Sequence, residues 1–308
     1  MILCCGEALI DMLPVQTRDG RAAFLPVPGG AAFNTAVALA RLGCRAGLVA
    51  GLSDDVFGAR LRRVATQGGV DLSFCPVSPR PTALAFVHDS ASGPVYAFRD
   101  AGSAGRDLRT DELRTRLDGV QAAVFGGISL ASDPGGAAFE TLAARCAADA
   151  VPVVVDLNIR PAAISDAHTY RERLARLLGL ATVIKVSDED LAWLLPGQSA
   201  RSAGEELARS AGAPLLLLTE GARGAAALVA GAWQHAEAEK VAVVDTVGAG
   251  DAFVAGFLAA LRDNGALDGL AGGVGAETLA KALDFACRVA TRTVARAGAD
   301  PPWREEIS

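Results

Sequence analysis

Asp251 is the residue whose chemistry most needs an explanation. It lies in Asp245-Thr246-Val247-Gly248-Ala249-Gly250-Asp251-Ala252-Phe253, after the β-branched run Val241-Ala242-Val243-Val244, which predicts the end of a strand. Beyond it Phe253, Val254, Phe257, Leu258 and Leu261 recur at helical spacing. A Gly-rich turn therefore leads from a strand into an apolar helix. Helix N-termini leave backbone N–H groups free and carry partial positive charge. Gly248 and Gly250 would let a bulky anion reach that main chain, which makes a phosphate site. A carboxylate in such a site repels phosphate unless it has a task, and taking a proton from an attacking hydroxyl is one. Ordinary capping is the competing explanation, since Asp favours helix starts and Gly favours turns. The motif is not a P-loop, and Phe253 stands where a dinucleotide fingerprint needs its third Gly.

Other candidates fall at predicted element ends. Ile2 to Cys5 predicts a buried strand, and Asp11 follows just past a strand end, where ligands gather in open α/β sheets. Asn34 lies in the first turn of a helix opened by Gly29 and Gly30, either as a cap or as a donor and acceptor for a polyol. Arg99 ends a predicted strand and Arg160 follows Asn158; either could reach a substrate or a phosphate, or simply be solvated. His88, His168 and His235 show no triad or metal spacing. Gly127-Ile128-Ser129-Leu130-Ala131 lacks the last Gly of a nucleophile elbow, so Ser129 reads as a loop residue near a ligand.

The elements that would position these residues alternate along the chain. From Ala122 onward strands and helices take turns, with strands at 151–156, 182–185, 215–219 and 225–229 and a closing helix at about 275–296. That pattern implies a mostly parallel sheet covered on both faces. Two stretches have a different texture. Residues 12–28 read as a Pro-bearing hairpin around Arg18-Asp19-Gly20-Arg21. Phe74 to Val77, Thr82 to His88 and Val95 to Arg99 read as further strands, with a turn at Ser90-Ala91-Ser92-Gly93. The fold expected is one α/β domain over 1–308 with a small accessory β-sheet inserted at about 12–28 and 72–100.

Of the 308 residues, 51% are hydrophobic and 21% charged, enough for a large core and against disorder. A net charge of -6 argues against nucleic acid or an anionic membrane as the main partner. The six cysteines form no C-x-x-C and no zinc pattern, and read as reduced thiols of a cytoplasmic protein. The start, Met1-Ile2-Leu3-Cys4-Cys5-Gly6-Glu7, has no basic n-region and is expected to be a strand rather than a signal peptide. No aliphatic run is long enough to cross a bilayer.

Two of these stretches together resemble one family. Gly29-Gly30-Ala31-Ala32-Phe33-Asn34, with its helix ending Leu42-Gly43, and Asp245 to Asp251 are similar to the paired signatures of ribokinase-like (PfkB-type) carbohydrate kinases, over essentially the whole chain. Gly6-Glu7-Ala8-Leu9-Ile10-Asp11, Ser103-Ala104-Gly105-Arg106, Asp156-Leu157-Asn158-Ile159-Arg160-Pro161 and Lys185-Val186-Ser187-Asp188-Glu189-Asp190-Leu191 look most like bacterial fructokinases, although 2-keto-3-deoxygluconate kinases share much of the frame. The resemblance implies a ribokinase-like three-layer sandwich and Mg²⁺-dependent phosphoryl transfer from ATP to a sugar hydroxyl. It implies Asp251 as catalytic base and the N–H groups of Gly248, Ala249 and Gly250 as anion hole. Asp11, Gly29, Gly30 and Asn34 would hold sugar hydroxyls. Lys185, Ser187, Thr219, Gly221, Gly224 and Gly250 fall in nucleotide-binding stretches. Asp245 with the carbonyl of Val247, near Arg296-Ala297-Gly298, matches a monovalent-cation site that would take K⁺. The accessory strands match a lid that often clasps a homodimer. Many relatives carry N-x-x-E where this chain has Ser187-Asp188-Glu189-Asp190, which leaves Asp190 as the candidate for the Mg²⁺ network. Fructose is the expected sugar, with 2-keto-3-deoxygluconate, ribose or a nucleoside as alternatives. Further off stand a dehydrogenase and a non-catalytic sugar- or nucleotide-binding protein.

Overall fold

A computed structural model describes residues 1–90, 93–114 and 117–307. The chain starts with β1 (Ile2–Cys5) and passes into a hairpin of β2 (Leu9–Gln16) and β3 (Ala22–Gly29). Then come α1 (Ala31–Arg41), β4 (Ala46–Val49), β5 (Leu52–Ser53), α2 (Val56–Gln67) and β6 (Val77–Ser78). β7 (Leu84–Ser90) and β8 (Gly93–Arg99) form a second hairpin; Ala91 and Ser92 of its expected turn lie outside the described residues. Alternation follows: β9 (Ala122–Gly126), α3 (Gly135–Ala148), β10 (Val153–Asp156), α4 (Ala167–Leu178), β11 (Val183–Ser187), α5 (Asp188–Leu194), α6 (Ala200–Ala211) and β12 (Leu215–Thr219). β13 (Ala225–Val229), β14 (Ala232–Ala236), α7 (Ala249–Asp263) and α8 (Ala276–Val294) complete the chain.

The central sheet has the order β14-β13-β12-β11-β10-β9-β1-β4. Its strands from β12 to β4 run parallel, and β13 and β14 are added antiparallel at one edge. The apolar runs explain this. β1, β4, β9 and β10 are buried at every residue, as strands covered on both faces must be. Alternate residues feed two cores: Ile2 and Cys4 pack with α1, α7 and α8, while Leu3 and Cys5 pack with α3 and α4. The second sheet has the order β3-β2-β7-β8, its two hairpins joined by a parallel β2–β7 pairing. The expected α/β class with a mostly parallel sheet and a small separate one is what the chain adopts.

Three local expectations fail. Val241–Val244 is not a strand: Val243 and Val244 are exposed, and the Val244 N–H donates to the Val294 carbonyl at the end of α8. A β-branched run favours extended backbone, but no strand neighbour is there to pair with it. The edge position is taken instead by β14, whose Gln234 and His235 disguise it as a loop. The strand expected over Phe74–Val77 shrinks to β6, which pairs with β5 outside the small sheet. Finally, Asp11 does not follow a central strand end: it lies inside β2, opposite Val27.

Candidate active site

α7 starts at a turn that only glycine makes easily. Gly248 has φ 78°, and a Cβ there would come within 2.7 Å of the Ala299 Cβ. The Ala249 N–H is spent on the Thr246 carbonyl at 3.3 Å. Among the described residues, the N–H groups of Gly248, Gly250 and Asp251 have no partner in the protein. Together with the helix dipole they form a receptor for an anion.

Asp251 points inward from the first turn, only 6% exposed. The Asn34 Nδ2, from α1, donates to its Oδ2 at 2.9 Å, and the Asn158 Nδ2, from the segment after β10, approaches its Oδ1 at 3.5 Å. Burial, and then the charge of Asp156, push its pKa up to about 7, against the Asn34 hydrogen bond, Lys185 and Arg160. A carboxyl so poised exchanges protons near neutrality, as a general base should.

Beneath this turn lies a buried ion pair. Lys185 Nζ is 3.0 Å from Asp156 Oδ1 and sits so close under Gly250 that a Cβ there would be 2.8 Å away. Burial works against the ammonium, but Asp156 and Asp190 outweigh it and hold its pKa up. Lys185 thus places a cation against the anion receptor at the start of α7. Ser187 caps α5, and Asp190 completes that cap. Asp190 Oδ1 accepts from the Ile159 N–H at 2.8 Å and its Oδ2 from the Ser187 N–H at 2.9 Å.

On the other side of Asp251 stand the polar residues of β2 and α1. Asp11 lies over Gly29, where a Cβ would collide with its Oδ2. Burial, then the charges of Glu7 and Asp245, push Asp11 up to about 7, with Arg160 pulling the other way. Gly30 begins α1 at φ 102°, and a Cβ there would be 2.6 Å from the Glu7 carbonyl. Arg160 acts electrostatically on both Asp11 and Asp251. Arg99 instead is exposed and donates to the Phe98 carbonyl.

Two residues here were missed by sequence reasoning. Glu7 is buried, and its carboxylate accepts from the Ala31 N–H at 3.1 Å and the Ser129 N–H at 3.2 Å, tying α1 to the turn Gly127–Leu130. Its one signal was a carboxylate two residues past an all-buried strand. Tyr96, on β8, has its phenol pKa raised by burial and then by Asp11, with Asp245, Asp251 and Arg160 also acting on it. It therefore lies within electrostatic reach of Asp11 and Asp251, and strand alternation on β8 was its only signal.

The remaining candidates line the carboxyl ends of β11 and β12. Ser187 and Thr219 are paired neighbours. Gly221 (φ 57°) and Gly224 (φ 96°) shape the turn after β12. Asp245 accepts from the N–H groups of Val247 at 3.0 Å and Gly298 at 2.9 Å, holding the turn before α7. Asp156, Ser187 and Thr219 thus stand at the carboxyl ends of the neighbouring strands β10, β11 and β12, where open α/β folds place their ligand sites.

Residues 1–306 match the pfkB family carbohydrate kinase. The chain belongs to that family. Among curated relatives of this pfkB kinase, the fructokinase of Rhizobium leguminosarum bv. trifolii is 44% identical over 263 residues, covering 85% of this chain and 80% of that protein. Among solved structures, a fructokinase from Xylella fastidiosa with bound ATP superposes with a TM-score of 0.87 at 30% identity, covering 97% of this chain and 93% of the other. Aminoimidazole riboside kinase from Salmonella enterica, complexed with aminoimidazole riboside and an ATP analogue, gives 0.84 at 28% identity, covering 99% and 98%. The family resemblance read from the glycine motifs is borne out, and the protein is a sugar-kinase phosphotransferase.

Proposed function

We propose that this pfkB kinase is an ATP-dependent fructokinase that converts D-fructose to D-fructose 6-phosphate. The observation that carries the reading is the 44% identity to a fructokinase, with the Asp251 carboxyl buried at a helix N-terminus whose N–H groups are free. Asp251 takes the proton of the attacking sugar hydroxyl, oriented by Asn34. The N–H groups of Gly248, Gly250 and Asp251, backed by Lys185, receive the negative charge of the transferring phosphoryl group. Asp11 and Asn34 suit a neutral polyol, and Gly29 and Gly30 let it approach the main chain. The small sheet acts as a lid, with Tyr96 turned toward the sugar. Ser187, Thr219, Gly221 and Gly224 border the nucleotide.

Among the described residues no group of three or more His, Cys, Asp or Glu is placed to hold a metal. Asp156 is ion-paired and Asp190 accepts two backbone N–H groups, so the donor set fits a Mg²⁺ that arrives on ATP with its water shell, Asp190 bordering it. When bound, Mg²⁺ would supply charge neutralisation at the phosphates. Asp245 and the Val247 carbonyl are the assigned contacts for K⁺. Val15, Phe24 and Leu25 of the first hairpin are exposed beside the free edge of β3, which favours a homodimer built on the lid. No helix among the described residues is long and apolar enough to cross a membrane, and a cytoplasmic location is part of this proposal.

ADP release from MgATP, measured with fructose, 2-keto-3-deoxygluconate, ribose and aminoimidazole riboside, with and without K⁺, tests the reading. Turnover concentrated on fructose supports it. Turnover on the riboside or on the acid sugar alone moves the assignment to that substrate, and no turnover on any of the four refutes the fructokinase assignment.

A further inference from the structure

Arg41 occupies the last turn of α1, two turns from Asn34 on the same helix. An arginine there would be expected to face solvent and complement the helix dipole. Its side chain is instead only 19% exposed, and it leaves its own helix. The Nη1 atom donates to Asp300 Oδ1 and to the Pro301 carbonyl, both at 2.5 Å, and the guanidinium lies 5.3 Å from the centre of the Trp303 ring.

The loop so gripped bears directly on the start of α7. The Gly298 N–H donates to Asp245, and Ala299 abuts Gly248 so closely that even a methyl group would not fit between them. Gly248 N–H is one of the free donors, and the Gly248 carbonyl accepts the Ala252 N–H inside the helix. A shift of residues 298–300 is therefore passed to the anion receptor. On the Arg41 side Pro301 and Pro302 are buried, and Asp300 makes its short ion pair with Arg41. A half-open cavity of about 170 Å³ lies there, lined by Asn34, Val37, Arg41, Val64, Ala299 and Asp300. Arg296 reaches the other Asp300 oxygen only at 3.7 Å and is engaged with Glu306 at 2.6 Å.

We propose that Arg41 is a positioning residue for phosphoryl transfer: it clamps residues 298–301 against Gly248 and so sets the N–H groups that receive the phosphoryl charge. This rests on the assignment of residues 248–251 as the anion hole. α1 then positions the site at both ends, Asn34 orienting the base and Arg41 holding the wall behind the donors.

The test measures kcat, KM for MgATP and for fructose, and the urea unfolding midpoint. The variants are Arg41→Met, Arg41→Lys, Asp300→Asn and Arg304→Met, with Asp251→Asn alongside. Arg304 anchors the same C-terminal segment through Asp263 and Phe285, away from the loop. Misplaced donors cost turnover rather than ground-state binding, so Arg41→Met should lower kcat about ten- to a hundredfold while both KM values stay within about twofold. Arg41→Lys and Asp300→Asn each keep one half of the clamp and should fall in between. Arg304→Met should turn over like the wild type. The proposal is overturned if Asp251→Asn is inactive while Arg41→Met keeps wild-type kcat, or if Arg304→Met loses as much kcat as Arg41→Met. Should Arg41→Met fail to fold, unchanged kcat in both Arg41→Lys and Asp300→Asn overturns it equally. Full turnover in Asp251→Asn would instead overturn the site assignment on which the clamp depends.

Discussion

Replacing Asp251 by Asn should cut turnover sharply and, above neutral pH, make the protein more stable. Burial and Asp156 raise this carboxyl from 3.8 to about 7. Between those values the unfolded chain has released its proton and the folded protein retains it. Stability tied to this group is complete below the unfolded pKa and is lost as pH rises through the folded one. Each unit is worth about 1.4 kcal/mol, so from pH 5 to pH 8 the wild type should lose about 2–3 kcal/mol that Asp251→Asn does not. Asp11 carries a similar penalty, but it is present in both proteins and cancels in the comparison. The Asn amide must also set its NH₂ against the donor of Asn34 or Asn158, a cost that does not vary with pH. The pH dependence of the difference is therefore the clean signal. Urea unfolding of both proteins at pH 5, 6, 7 and 8 measures it, and turnover should fall about 10²–10⁴-fold in parallel. A stability difference that stays flat from pH 5 to pH 8 would refute the argument that a carboxyl with a raised pKa lies at the start of α7.

Two further outcomes are expected. Because Asp251 must be ionised to accept a proton, kcat/KM should rise through about pH 7, where its carboxyl is placed; Arg160→Ala removes a charge that favours ionisation and should move that limb to higher pH, whereas Arg99→Ala should leave it in place, and pH–rate profiles of the three proteins decide. Gly30→Ala combines a φ of 102° with a Cβ pressed on the Glu7 carbonyl, so it should cost about 1–3 kcal/mol and raise the KM for sugar more than that for ATP, as read by urea unfolding and steady-state kinetics.

The parts of this site that sequence reveals are those built locally. The start of α7 could be recognised because a helix N-terminus, two glycines and a carboxylate within a few residues already specify an anion receptor and a base. The sheet could be recognised because residues such as Val153–Asp156 and Leu215–Leu218 are apolar on both faces, and strands between helical stretches must run parallel. Glu7 and Tyr96 could not, since their meaning comes from partners far along the chain: Ser129 for one, and the charges of Asp11 and Asp251 for the other. Val241–Val244 misleads for the complementary reason. Its composition reports how the backbone bends, while a strand is defined by a neighbour, and here the neighbour is the end of a helix. Lys185 was assigned by motif to the nucleotide; only the packing of β11 beneath Gly250 reveals its pairing with Asp156.

α7 is buried at every position from Asp251 to Leu261, between α1 and α8. The proposed base, Asp251, therefore resides on a helix buried between two others and not on a surface loop. Amide protons along Asp251–Leu261 should exchange only through global opening, and enzyme activity in denaturant should vanish together with the far-ultraviolet circular dichroism signal rather than before it. For this enzyme a residual rate is a direct count of fully folded molecules.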